Sequence, residues 1–172
     1  MNTLIAITGP ESTGKTDLAE ALSAAYPRSL VVPEHARAYL TSLAPGYRYH
    51  LDDILHIAVR QRHDIGWAAR HNGPVFCDSD DLVLYIWIRE VFGTTNTPVA
   101  DWIAEQSFRH TLLCAPDIPW EPDPLRENPH DRDRLFAIYK EELERLERPY
   151  SIIQGSGPER LSCAMQALAG LI

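Results

Sequence analysis

Eight residues near the start of the chain, Gly9, Pro10, Glu11, Ser12, Thr13, Gly14, Lys15 and Thr16, satisfy the pattern G-x-x-x-x-G-K-[ST] and restrict the possible folds more than any other stretch. So short a pattern arises by chance, and its flanks decide its meaning. Before it runs Thr3-Leu4-Ile5-Ala6-Ile7-Thr8, apolar and β-branched as befits a buried strand. After it, Leu18, Ala19, Leu22 and Ala25 recur at helical spacing. A helix starting near Gly14 leaves its first N–H groups without intrahelical partners, and these face any anion held in the loop. Glycine lets the backbone turn there and approach that anion without a Cβ clash. Lys15 then reaches the β- and γ-phosphates of ATP, and the Thr16 hydroxyl ligates Mg²⁺.

The remaining apolar runs repeat this alternation. Strand-like segments fall at 29–33, 74–78, 110–114 and 150–154, with helical patterns in the gaps. Leu51, Ile54, Leu55, Ala58, Ile65 and Ala69 form one apolar stripe, and Leu135, Ile138 and Leu146 form another. Strands alternating with helices imply a parallel sheet covered on both faces. The expected fold is an α/β/α three-layer sandwich of the P-loop kinase type, five parallel strands in the order 2-3-1-4-5. Its ligands gather at the carboxyl ends of the strands. A chain of 172 residues fits one such domain.

Two carboxylates stand at strand ends. Glu34, in VVPEHARAYL, is placed to accept a proton from an acceptor hydroxyl, with Arg37 one turn on to fix the carboxylate or a substrate phosphate. Asp78 closes the third strand in VFCDSDD, where it serves either Mg²⁺ or the acceptor hydroxyl. Asp81 reads as a cap of the next helix. Residues 115–134 are rich in proline and read as a lid carrying Arg126, Arg132 and Arg134. Arg126 and Arg132 are the candidates to stabilise the charge of a transferring phosphoryl group. Asp117 and Trp120 sit in the same segment, and a tryptophan in such a loop suits packing on a planar or cationic ring.

Composition bounds the partners. Sixteen Lys and Arg against 24 Asp and Glu give a net charge of −8, which argues against a broad nucleic-acid or anionic-membrane surface. No apolar stretch approaches transmembrane length, and the N-terminus lacks the basic start of a signal peptide, so a cytoplasmic location is expected. Cys77, Cys114 and Cys163 lie in apolar surroundings without C-x-x-C spacing and read as reduced core thiols. His50, His56 and His63 read as surface or packing residues rather than metal ligands.

Taken together, GPESTGKT, VPEHARAY, VFCDSD and PDIPWEPDPLRENPHDRDRLF resemble the ribosylnicotinamide kinase domain of the bacterial NadR family, and more widely the AAA-type P-loop ATPases related to it. The resemblance runs through nearly the whole chain in the same order. It implies phosphorylation of the 5′-hydroxyl of nicotinamide riboside by MgATP, giving nicotinamide mononucleotide. On that likeness, Gly9 to Thr16 hold ATP, Glu34 and Asp78 flank the ribose, and Arg126 and Arg132 close over phosphate. Asp117 and Trp120 approach the nicotinamide riboside. The family's last loop often reads Gly-x-Tyr-x-x-Arg; this chain keeps Gly155 and Arg160 but has Gly157 in the aromatic place. The adenylyltransferase activity and DNA binding that NadR carries in other segments are not implied by the matching residues. Another nucleoside or a sugar as acceptor, or a regulatory ATPase without one, stays open at this point.

Overall fold

The computed structural model describes residues 3–123 and 130–172. Five strands, β1 (Thr3–Thr8), β2 (Leu30–Val32), β3 (Pro74–Asp78), β4 (His110–Cys114) and β5 (Tyr150–Ile153), form one parallel sheet in the order β2-β3-β1-β4-β5. Helices α1 (Lys15–Ala25), α2 (His35–Ser42), α3 (Leu51–Ala68), α4 (Asp81–Phe92), α5 (Pro98–Glu105), α6 (Arg132–Arg145) and α7 (Gly157–Leu168) make the crossovers. Parallel neighbours require such crossovers, and their helices cover both faces.

Alternation along each strand divides the core. Ile5, Ile7, Phe76, Leu112 and Cys114 point to one face and pack against Leu18, Ala19 and Leu22 of α1 and Ala164 and Leu168 of α7. Val75 and Cys77 point to the other, against Ile65 and Ala68 of α3, while Leu113 meets a larger cluster built by α3, α4, α5 and α6. Successive residues point to opposite faces, so both faces must be apolar and the strands read as continuous hydrophobic runs.

The helix faces differ in detail from the apolar stripes. On α3 the buried set includes Ile54, Ile57, Ala58, Ile65 and Ala68, with the polar Asp53 and Gln61 among them. Leu55 is half-buried, and Ala69 falls just past the helix end. On α6, Leu135 is buried as expected, but Tyr139 and Leu143 take the innermost places and Ile138 and Leu146 are half-buried. A 3.6-residue repeat places 135, 139, 142 and 143 on one side, and Glu142 is tolerated there because Arg89 and Arg145 pair with it at 2.7 and 2.8 Å. Cys77 and Cys114 are fully buried and Cys163 is half-buried; all three are free. Burial pushes the Cys114 thiol up to about 11 and the Cys77 thiol higher still, which keeps both protonated and inert.

Among the described residues no helix is long and apolar enough to cross a membrane.

Candidate active site

The loop from Gly9 to Thr16 joins the carboxyl end of β1 to α1. Gly9 has φ of +135°, and a Cβ there would come within 2.8 Å of the Cys114 carbonyl oxygen at the end of β4. Gly14 is left-handed at φ +70° and precedes the first helical residue. Lys15 Nζ donates to the carbonyls of Gly9 and Pro10 at 3.0 and 2.8 Å, so its ammonium lies over the loop itself. The Thr13 hydroxyl braces the same turn through the Pro10 carbonyl at 2.7 Å.

Thr16 Oγ1 donates to Asp78 Oδ2 at 2.6 Å, which brings together the two residues expected at a metal. Asp78 is 2% exposed, and its Oδ1 has no hydrogen-bond partner among the described residues. Burial raises its pKa, against the opposing pull of the Thr16 hydrogen bond and the Lys15 charge. A buried carboxylate oxygen with spare acceptor capacity, beside a hydroxyl and a phosphate loop, is the oxygen donor set that Mg²⁺ takes while keeping most of its waters. The residues present therefore fit the ion.

Glu34 is the residue before α2, yet its side chain makes no capping bond to that helix. It lines one cavity together with the whole loop Gly9–Thr16, and that cavity continues to Ala36, Arg37 and Leu40 of α2, Val83, Ile86, Trp87, Glu90 and Val91 of α4, and Leu135 and Tyr139 of α6. Arg37 also donates to Asp123 at 2.8 Å. Buried Tyr139 feels the charges of Asp80, Glu34 and Glu11, which together with its burial raise its pKa well above the phenol range. Of the charged lining residues, five are carboxylates (Glu11, Asp17, Glu34, Glu90, Glu121) and two are cationic (Lys15, Arg37).

The lid segment is arranged differently from its sequence reading. Arg126 lies outside the described residues. Arg132, the first residue of α6, donates to the Ser12 carbonyl at 2.9 Å and the Ile118 carbonyl at 3.0 Å, and its guanidinium stands 5.7 Å from the Trp120 ring centroid. Glu121 N–H donates to Ser12 Oγ at 3.0 Å. The base of the segment is thus fastened to the phosphate loop. Trp120 stacks under Arg132 and is not among the cavity's lining residues. Asp117 pairs with Arg160 and accepts the Gly155 N–H at 2.8 Å, joining the loop after β4 to the loop after β5. Arg160, 4% exposed, also donates to the Ala115, Ile153 and Gly155 carbonyls, so both charges serve the sheet end. Arg134 pairs with Asp131 and Glu90 at the surface.

Trp87 and Tyr139 are the aromatic residues of the cavity wall that sequence reasoning missed. Trp87 Nε1 donates to the Tyr49 hydroxyl at 3.2 Å, and the two rings meet edge to face at 5.4 Å. The only signal was an aromatic ring on the helix that follows Asp78.

Behind Asp78 lies a buried ionic group. Asp80, fully buried, accepts from Thr8 Oγ1 and Arg148 Nη1, both at 3.1 Å. Asp81, also fully buried, pairs with Arg62 at 3.2 Å, while Arg62 reaches Glu105 at 2.6 Å. Asp81 is the first residue of α4 rather than its cap, and its carboxylate pairs across to Arg62 on α3. Burial, then the neighbouring Asp80 charge, pushes Asp81 from 3.8 up to about 7. Because the folded chain binds this proton more tightly than the unfolded one, the stability it contributes is complete below about pH 4 and is lost as pH rises to about 7. The thermal midpoint of Asp81→Asn protein is therefore expected to gain on wild type between pH 5 and pH 8, by about 2–4 °C for each kcal/mol involved. Parallel melting profiles for the two proteins over that range would exclude this role of Asp81.

The fold and the loop define a P-loop nucleotide-binding protein with the strand order of the nucleoside and nucleotide kinases. The chain belongs to the AAA domain family, whose model matches residues 4–160. Its fold is shared with the crystal structure of NadR protein in complex with NR, at a TM-score of 0.81 and 21% identity over 97% of this chain and 50% of that one. NadR protein in complex with NAD and AMP-PNP superposes at 0.74 with 20% identity, over 97% and 48% of the two chains. Thymidylate kinase from Ehrlichia chaffeensis follows at 0.62 with 14% identity, over 97% and 98%. The chain spans about half the length of the NadR structures. No curated protein sequence matches it.

Proposed function

We propose that this chain is an ATP-dependent kinase that phosphorylates the 5′-hydroxyl of nicotinamide riboside. The observation that carries the reading is the single cavity that runs from the phosphate loop to a wall holding Glu34 and Trp87. A cavity lined by both the phosphate loop and a carboxylate supports a reading in which nucleotide and acceptor share it. The resemblance of the sequence motifs to NadR, and the NR bound in a protein of the same fold, agree with it.

In this reading Lys15 and the loop amides hold the β- and γ-phosphates of ATP. Glu34 accepts the proton of the acceptor hydroxyl as its oxygen bonds to the γ-phosphorus and the bond to the bridging oxygen of ADP breaks. Thr16 and Asp78 would hold Mg²⁺, which neutralises charge on the phosphates when bound.

Trp87 in the cavity wall supports nicotinamide riboside over a neutral nucleoside. A ring cation over an indole face gains on the order of 1–2 kcal/mol when desolvated. Trp87→Ala is accordingly expected to raise KM for nicotinamide riboside about tenfold while KM for ATP stays within about twofold, with Trp87→Phe much less affected. The direct test offers MgATP with nicotinamide riboside, uridine, thymidine, thymidylate and a simple ribose, following ADP and phosphorylated product. Preference for a neutral nucleoside would keep the reaction and replace the substrate. ADP release without any phosphorylated acceptor would replace the kinase by a regulatory ATPase.

A further inference from the structure

Gln61 is a buried amide on the core-facing side of α3, 2% exposed, between Ala58 and Ile65. Its Oε1 accepts the His35 N–H at 2.9 Å. Its Nε2 donates to the Pro33 carbonyl at 3.3 Å and to the Ser79 carbonyl at 3.4 Å. Pro33 and His35 stand on either side of Glu34, and Ser79 directly follows Asp78. One amide therefore bonds the chain on both sides of the first carboxylate and immediately beyond the second.

The chemistry requires an amide. A leucine of similar size would fill the space without the cost of desolvating polar atoms, so packing alone does not account for the residue. A carboxylate would accept the His35 N–H but would set its other oxygen against two carbonyls. Only a side chain that both accepts and donates twice, on a stem of this length, can join these two turns. The Ser79 turn has φ of +71°, in the left-handed region that serine enters at a cost, and its N–H is tied to the Ile7 carbonyl at 3.0 Å.

We propose that Gln61 is a positioning residue which fixes the turn bearing Glu34 against the turn bearing Asp78, and so sets the distance from the proton acceptor to the phosphate loop. The inference rests on the reading of Glu34 as the group that takes the acceptor proton. Its bland counterpart is that Gln61 merely satisfies the first free N–H of α2. The two differ in what they predict when Glu34 is already disabled.

A double-mutant cycle separates them. Transfer from MgATP to nicotinamide riboside is measured for wild type, Gln61→Leu, Glu34→Gln and the double variant, with melting curves and AMP-PNP binding recorded for each. Since a displacement of about 1 Å at a reacting group can cost up to about a hundredfold, Gln61→Leu is expected to lower kcat about ten- to a hundredfold in the wild-type background. In the Glu34→Gln background the same change should cost less than about twofold, because the group being positioned is no longer functional. AMP-PNP affinity should stay within about twofold throughout, since Gln61 touches no residue of the phosphate loop. Gln61→Met keeps the side-chain length and goes through the same cycle, so loss of fold in the leucine variant does not end the comparison. Equal losses in both backgrounds, or no loss in either, overturn the positioning role while leaving Glu34 in place. A Glu34→Gln protein that transfers at the wild-type rate rejects the role of Glu34 itself, and Gln61 falls with it.

Discussion

Lys15→Ala protein is expected to keep its fold and to lose phosphoryl transfer by about a hundredfold to a thousandfold, the usual effect of removing one fixed positive group from a developing anion. The ammonium makes two hydrogen bonds, to the Gly9 and Pro10 carbonyls, and both belong to the loop it serves. No element of the core depends on it, since α1 is held by Leu18, Ala19 and Leu22 on the side away from the cavity. Melting temperature and the rate of transfer should therefore separate. Paired measurements of thermal midpoint and kcat/KM for ATP check this, and unchanged turnover in a folded variant would remove the nucleotide site from the functional reading.

Glu34→Gln is expected to depress kcat by about a hundredfold or more with AMP-PNP binding retained, because a positioned proton acceptor contributes about 10²–10⁴ to a transfer rate. The amide keeps the shape of the carboxylate and cannot take the proton. Stability should change little, since the Glu34 side chain makes no cap on α2 and the turn is held by Gln61 through Pro33 and His35. A variant that retains the wild-type rate would transfer the role of base to another group, with Asp78 the next to test.

The strand positions were legible because in a parallel sheet both faces are buried, so each strand reads as an apolar run between polar helices. β1, β3 and β4 begin and end where the sequence puts them, and only the ends of β2 and β5 are shorter. The phosphate loop and the meeting of Thr16 with Asp78 were legible for a related reason: a strand end next to a glycine loop allows few geometries. The wall that α4 adds to the cavity was not legible. DLVLYIWIREVF is apolar on nearly every side of its helix, and nothing in such a run marks Trp87 as facing a cavity rather than the core. Trp120 looked exposed and ready for a ligand because the guanidinium that covers it comes from residue 132, beyond the segment's prolines. Asp117 and Arg160 are 43 positions apart, and only the adjacency of β4 and β5 brings them together.

The contact of Gly9 with the end of β4 bears on how freely the parts of this protein can be exchanged. A side chain at position 9 would have to displace the Cys114 carbonyl, and the chain that follows Cys114 leads directly to Ile118, Glu121 and the Arg132 anchor on Ser12. The phosphate loop and the root of the lid are thus one mechanical part, although more than a hundred residues separate them in sequence. A chimera that imports a lid from a relative should take residues 9–16, 114–121 and Arg132 from the same parent. Divided between two parents, the joint would mismatch at the phosphate loop, even with every helix and strand intact.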